Sequence, residues 1–180
     1  MILLTDEDND PNEKIEIYFH EASPSLIEYS SAAAINYAKA YALLHTNSCG
    51  IYNDEPGGVL SDCAHFISHC LAKGGIKIKA AVANPSICKD GLCYRVEELR
   101  QAFEALAKKY DNINPLDINK AASGDYALLL SHTFMVCTGS VNSDEITVYS
   151  HTLNRSCEKP PQEWSKTFSV CYHIADINPK

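Results

Sequence analysis

The stretch that decides the fold of this 180-residue chain is SDCAHFISHCLAKGG, residues 61–75. Its apolar residues recur at helical spacing, so it predicts a helix over residues 61–73. Ser61 or Asp62 can cap the start of this helix, and a Gly-Gly pair ends it. The face of the helix that is expected to pack on the core consists of Cys63, Phe66, Ile67, Cys70 and Leu71.

Cys63 stands in the first turn of this helix, where backbone N–H groups have no partner within the helix and the dipole is positive. A thiolate is stabilised at such a position, so Cys63 is predicted to be a nucleophile. The competing interpretation is a small buried cysteine that only packs. Cys70, deeper in the same helix, is interpreted in that second way.

A thiol nucleophile needs a base within hydrogen-bond reach, and His132 is the candidate. It opens an apolar segment, residues 132–138, which predicts a strand. A histidine at the start of a core strand can face the N-terminus of a helix, so His132 is predicted to be the general base. The alternative is a histidine at a strand end that is exposed to water.

The group that orients the base is predicted from the pairing of the next strand. If residues 139–144 close a hairpin with Thr138 opposite Glu145, His132 falls opposite His151 on one face of the sheet. His151 would then orient His132 through a ring nitrogen. A one-residue slip of the register would break this pairing. The alternative orienting residues are Ser150, Thr152 and Asn154.

His65 and His69 lie four residues apart on the other face of the predicted helix, a spacing that can serve a metal ion. No acidic partner and no zinc-type spacing accompany them in the sequence. They are therefore predicted to lie on a solvated face, and the sequence predicts neither a metal nor a cofactor.

The remaining pattern places helices before strands. Helices are predicted over residues 30–45 and 94–110, in addition to 61–73. Strands are predicted over residues 14–20, 126–130, 132–138, 145–151 and 168–174. Helices followed by an antiparallel sheet are typical of an α+β domain, here a single one over residues 1–180 with 1–13 loosely ordered.

Composition excludes several classes of function. The chain carries 23 acidic and 15 basic side chains, a formal net charge of −8, and has no basic run. Phosphate contacts need clustered Lys and Arg, so binding to nucleic acid or to an anionic membrane surface is not expected. No stretch is apolar enough to cross a bilayer, and the start lacks the features of a signal peptide. The sequence predicts a protein that is cytoplasmic or exported by a specialised route.

Eight cysteines are many for a cytosolic protein of this size. They lack the paired CxxC spacing of a zinc ribbon. The segment Cys88-Lys-Asp-Gly-Leu-Cys93 carries an Asp-Gly turn between two thiols, so it can close a small disulfide loop. Reduced thiols in a cytosolic chain are the competing state.

Several segments together resemble the family described as "Putative amidase domain", a branch of the papain-like superfamily that includes NlpC/P60 and CHAP domains. The segments are Ile51-Tyr52-Asn53, residues 61–75, Gly124-Asp125-Tyr126-Ala127 with His132, and Ser150-His151-Thr152. The resemblance spans roughly residues 30 to 155. His65 stands where the family commonly has Asn, and His69 where it commonly has Gln.

This resemblance implies a papain-like, NlpC/P60-like fold, with the helix that bears Cys63 packed on an antiparallel sheet that bears His132 and His151. The oxyanion hole would include the N–H of Cys63, with Tyr52 and Asn53 of the upstream loop as the further oxyanion and substrate contacts. Asp62 would cap the helix.

The activity that the resemblance implies is cysteine-dependent cleavage of amide bonds, on peptides of the bacterial cell wall. A thiol acyltransferase and a non-catalytic, disulfide-bearing binding domain of papain-like shape are the alternatives. The expected partner is a peptide substrate, and the oligomeric state is left open.

Overall fold

The computed structural model describes residues 25–43, 62–81, 90–139, 146–151, 154–165 and 168–177. The helices are α1 (Ser31–Tyr41), α2 (Cys63–Gly74), α3 (Val96–Lys109) and the short α4 (Gln162–Ser165), and a 3-10 turn covers Ile118–Lys120. The strands are β1 (Ile113–Leu116), β2 (Tyr126–Leu129), β3 (Thr133–Thr138), β4 (Thr147–Ser150), β5 (Arg155–Glu158) and β6 (Phe168–Ile174). Some of the predictions concern residues outside the described part of the chain, namely residues 14–20, Tyr52, Asn53 and Thr152.

The strands form one antiparallel sheet in the order β1-β6-β2-β3-β4-β5. The predicted α+β class is therefore confirmed. The sequence did not predict β1 and β5, which are the two edge strands. Pro115 within β1 is tolerated because an edge strand leaves one side of its backbone unpaired.

Helices α1 and α2 pack together, and α2 lies against β3 and β4 on one face of the sheet. Phe66 and Leu71 of α2 share a buried cluster with Met135 of β3 and Tyr149 of β4. A second apolar cluster includes the residues of β3 that alternate with Met135, and it is completed by Trp164 of α4. Strand β3 is therefore buried on both faces, which explains its continuous apolar sequence.

Helix α2 begins and ends as its sequence indicates, except at the cap. Asp62 occupies the N-cap position, but its side chain makes no capping hydrogen bond. At the other end Gly75 adopts a φ of 115°, which favours glycine. A Cβ atom at Gly74 would overlap the ring of Tyr29. The close packing of Tyr29 against the end of α2 therefore depends on a glycine at position 74.

Within the described residues, a disulfide joins Cys137 of β3 to Cys157 of β5. Cys93 is a buried free thiol, so the predicted Cys88–Cys93 loop is not formed, and Cys88 lies outside the described residues. The thiol of Cys93 points inward and donates to the carbonyl oxygen of Arg95, 3.3 Å away. Burial raises the pKa of Cys93 to about 11. Within the described residues no helix has the length and apolar character needed to cross a membrane.

Candidate active site

The start of α2, the start of β3 and the end of β4 meet at one end of the sheet. Because β3 and β4 are antiparallel, His132 before β3 and His151 after β4 lie at the same end. Asp62, which precedes α2, hydrogen-bonds His151 at 2.8 Å, and its charge also acts on the pKa of His132. Cys63 follows Asp62 directly, so the predicted nucleophile lies at this end together with both histidines.

Cys63 is the first residue of α2, and its side chain is fully buried. The first hydrogen bond of the helical ladder runs from the N–H of Phe66 to the carbonyl oxygen of Asp62, at 2.9 Å. The N–H groups before Phe66 precede this first bond, and they lie at the positive end of the helix dipole. An anion that forms beside Cys63 would be stabilised there.

His132 is buried against an aromatic wall. Its ring centroid lies 4.0 Å from that of Trp164, and its Nε2 has no hydrogen-bond partner in the described part of the chain. Burial lowers the pKa of His132 to about 4, while the negative charge of Asp62 acts in the opposite direction. His132 is therefore neutral at pH 7, the form in which a ring nitrogen can accept a proton.

His151 is held from both ring nitrogens. Its Nδ1 lies 2.8 Å from Oδ2 of Asp62, its Nε2 lies 2.8 Å from the carbonyl oxygen of Tyr41, and its ring stacks on Phe66. The carbonyl oxygen of Tyr41 can only accept, so Nε2 carries a hydrogen. The other ring nitrogen, Nδ1, faces Oδ2 of Asp62, so Asp62 and His151 form a buried, hydrogen-bonded carboxyl–imidazole pair.

The predicted register of the β3–β4 hairpin is wrong. Met135 pairs with Tyr149, and a bulge then places Thr138 opposite Thr147 rather than opposite Glu145. The bulge is supported by a 2.6 Å hydrogen bond between the hydroxyls of Thr138 and Thr147.

As a consequence of this shift, His132 does not lie opposite His151, and the ring nitrogens of His151 bind Asp62 and Tyr41 instead. Of the alternative orienting residues, Ser150 is buried and Asn154 is half-buried. The residue that orients His132 therefore stays a prediction.

Two features of α2 were missed from the sequence. Asp62 is a buried ion-pair partner of His151 rather than a side-chain cap. His65 is buried instead of solvated, and Nε2 of both His65 and His69 lies within 3.4 Å of Oδ2 of Asp90. The sequence did offer a signal for Asp62, because this acidic residue stands directly before the predicted nucleophile. Asp90 lies beyond the segment that follows α2 in the sequence, and no pattern in that segment indicates that Asp90 would contact the helix.

Comparison with known proteins gives one match. A family model described as "Putative amidase domain" matches residues 28–87, a third of the chain, and this stretch includes α1 and α2. The match supports an amidase-like family and suggests amide hydrolysis. It includes Cys63, whereas His132 and His151 lie beyond it. The chain matches no curated protein and no solved structure.

Proposed function

We propose that the protein is a cysteine-dependent amide hydrolase with a papain-like fold, in which Cys63 is the nucleophile and His132 the general base. The observation that carries the proposal is the place of Cys63 in the first turn of α2, at the same end of the sheet as a neutral, buried histidine. The family match supports amide chemistry and covers the helix that bears this cysteine.

In this mechanism Sγ of Cys63 attacks the carbonyl carbon of the amide while Nε2 of His132 takes the thiol proton. The N–H groups of the first turn of α2 stabilise the oxyanion. His132 returns the proton to the leaving nitrogen, the C–N bond breaks, and an acyl-thioester remains. Water then attacks the thioester as His132 takes its proton, the C–S bond breaks to release the carboxylic acid, and transfer of that proton to sulfur regenerates the thiol. Tyr52 and Asn53 stay the predicted further contacts of the oxyanion and the substrate.

Asp62 and His151 support this chemistry without a direct role in bond cleavage. Imidazolium forms on His132 during the reaction, and the charge of Asp62 favours that form. His151 joins the start of α2, through Asp62, to the end of α1, through Tyr41. His151 is therefore proposed as a positioning residue that holds Cys63 in place relative to the sheet.

The substrate class that we propose is the peptide of the bacterial cell wall, and it rests on the resemblance to papain-like amidases. Transfer of the acyl group to an amine instead of water uses the same residues. A non-catalytic binding domain is the rival function, and complete burial of Cys63 favours it. The rival predicts that Cys63 reacts no faster than a core cysteine.

The test is a comparison of thiol reactivity in the native, oxidised protein. Iodoacetamide is added at pH 7 without reductant, and each modified cysteine is mapped by mass spectrometry over time. We expect Cys63 to react at least tenfold faster than Cys70, which lies on the same face of α2. Equal rates would overturn the hydrolase in favour of the binding domain.

Activity is then measured on solubilised cell-wall fragments by the appearance of new amino groups. Cys63→Ser is expected to abolish the release of amino groups. Cys70→Ser is the matched control, since it removes a buried thiol from the same helix and should retain the activity. Loss of activity in both variants, or in neither, would contradict the role of Cys63.

A further inference from the structure

A second cluster of ligating side chains lies on the other face of α2. His65 and His69 are one helical turn apart, and their rings meet edge to face with centroids 4.5 Å apart. Oδ2 of Asp90 lies 3.4 Å from Nε2 of His65 and 2.9 Å from Nε2 of His69. One nitrogen from each histidine and one carboxylate oxygen all lie within 4.8 Å of one another.

The two distances to Oδ2 of Asp90 are close to the separation that donors to a common ion require. Donors that bind one zinc ion tetrahedrally at about 2.0–2.1 Å lie about 3.3 Å from each other. Nε2 of His69 is buried and close to Asp90, yet it is not aligned for a hydrogen bond with that carboxylate and has no other such partner among the described residues. An ion bound by both side chains explains the position of this nitrogen better than a direct hydrogen bond to Asp90 does.

The donors are also held in place by neighbouring groups. The ring of His69 stacks on that of Tyr37 from α1, with centroids 5.7 Å apart. Oδ1 of Asp90 accepts a 3.0 Å hydrogen bond from the N–H of Leu92, which fixes the carboxylate. Outer contacts of this kind orient ligands before an ion binds.

The charges around the cluster act on a bound cation in opposite directions. The nearby ammonium of Lys73 opposes a cation, whereas the carboxylate of Asp90 favours one.

We propose that His65, His69 and Asp90 bind a divalent transition-metal ion of the zinc type, with the fourth position left to water. The donor set of two imidazoles and one carboxylate suits zinc. The ion would connect α2 to the segment that leads into α3, because Asp90 lies six residues before Val96. The proposal does not depend on the thiol chemistry, and it holds whether or not Cys63 is a nucleophile.

The first measurement is the zinc content and affinity of the full chain, by elemental analysis after dialysis and by isothermal titration calorimetry. We expect one Zn²⁺ per chain and a higher melting temperature with zinc. His69→Gln and Asp90→Asn should each weaken binding at least about tenfold, as changes near metal sites commonly do. Both changes fall on half-buried or exposed side chains, so circular dichroism should show a folded protein.

The matched control is His173→Gln, which removes an exposed histidine from another His–Asp pair, with Asp125. It should leave zinc binding unchanged. Equal weakening by all three variants, or no stoichiometric binding by the native chain, would overturn the site.

Because the chain has eight cysteines, Co²⁺ is used as a second probe. Visible ligand-field bands without strong sulfur-to-cobalt charge transfer in the near ultraviolet would support nitrogen and oxygen ligands. Strong charge transfer would assign the ion to thiolates and overturn the proposal.

Discussion

Two buried histidines at one end of the sheet differ in how they are held. The ring of His132 packs on Trp164, and its Nε2 has no hydrogen-bond partner in the described part of the chain. His151 uses both ring nitrogens, toward Asp62 and Tyr41. A histidine with an available nitrogen can exchange protons during a reaction, whereas one engaged on both sides joins structural elements. This contrast supports the roles that we propose, with chemistry at His132 and stability from His151.

The largest expected effect is the loss of turnover when the available histidine is removed. His132→Ala should lower kcat on cell-wall fragments by about 10²–10⁴-fold, the usual contribution of a general acid–base group. His173→Ala, which removes an exposed histidine, is the control and should leave kcat unchanged. If His132→Ala kept more than a tenth of the native rate, His132 would not be the base.

The next effect is on stability and concerns the engaged histidine. His151→Ala removes the partner that hydrogen-bonds the buried carboxyl group of Asp62, together with the stacking on Phe66. Removing one partner of such a buried pair costs about 3–5 kcal/mol. Urea unfolding would measure the change, and adding Asp62→Asn to His151→Ala should recover part of it. A loss below about 1 kcal/mol would mean that the pair does not hold the start of α2.

A third effect is the dependence of stability on pH. The pKa of His132 is about 4 in the folded protein and 6.5 as its ordinary value. Between these values the unfolded chain binds more protons, so stability falls as the pH decreases from 6.5 toward 4. At about 1.4 kcal/mol per pKa unit, His132 contributes a loss of about 3 kcal/mol.

This loss is obtained as the difference between unfolding curves of the native protein and of His132→Gln, which cannot titrate. The variant should show a flatter dependence over the same window. Parallel curves for the two proteins would mean that the pKa of His132 is not lowered by its burial.

The smallest effect tests the cause of that lowered pKa. Trp164→Ala should uncover the ring of His132 and raise its pKa from about 4 toward 6.5, as followed by NMR titration of the imidazole. Trp164→Phe keeps an aromatic ring beside the imidazole and should raise the pKa less. Trp164→Phe should also destabilise the second apolar cluster less than Trp164→Ala does. Equal pKa values in the native protein and both variants would assign the desolvation to other neighbours.

Local patterns predicted the regular elements of this fold well. The predicted helix over 61–73 is found as Cys63–Gly74, and the predicted strand 168–174 is found within the same bounds. Both segments have a clear hydrophobic periodicity, and Gly75 marks the end of the helix. The edge strands β1 and β5 were missed because they are short and only partly buried, so their side chains do not alternate between core and water.

The contacts of the candidate site were less accessible to sequence reasoning. Chain order and antiparallel pairing already place His132 and His151 at one end of the sheet. The hairpin register, however, depends on a bulge near Thr138 that no local sequence pattern predicts. The pair of Asp62 and His151 joins residues 89 positions apart. Such contacts come from tertiary packing, and local periodicity carries no information on them.

The disulfide between Cys137 and Cys157 has a consequence for the handling of this protein. It closes a covalent ring that contains β4 and His151, so the strand that carries this histidine is tethered at both ends. A ring of this size restricts the unfolded chain and is worth roughly 3 kcal/mol. Purification with a strong reductant would open the ring and release this contribution. The oxidation state of the sample therefore belongs among the controlled variables of every assay, beside pH and metal content.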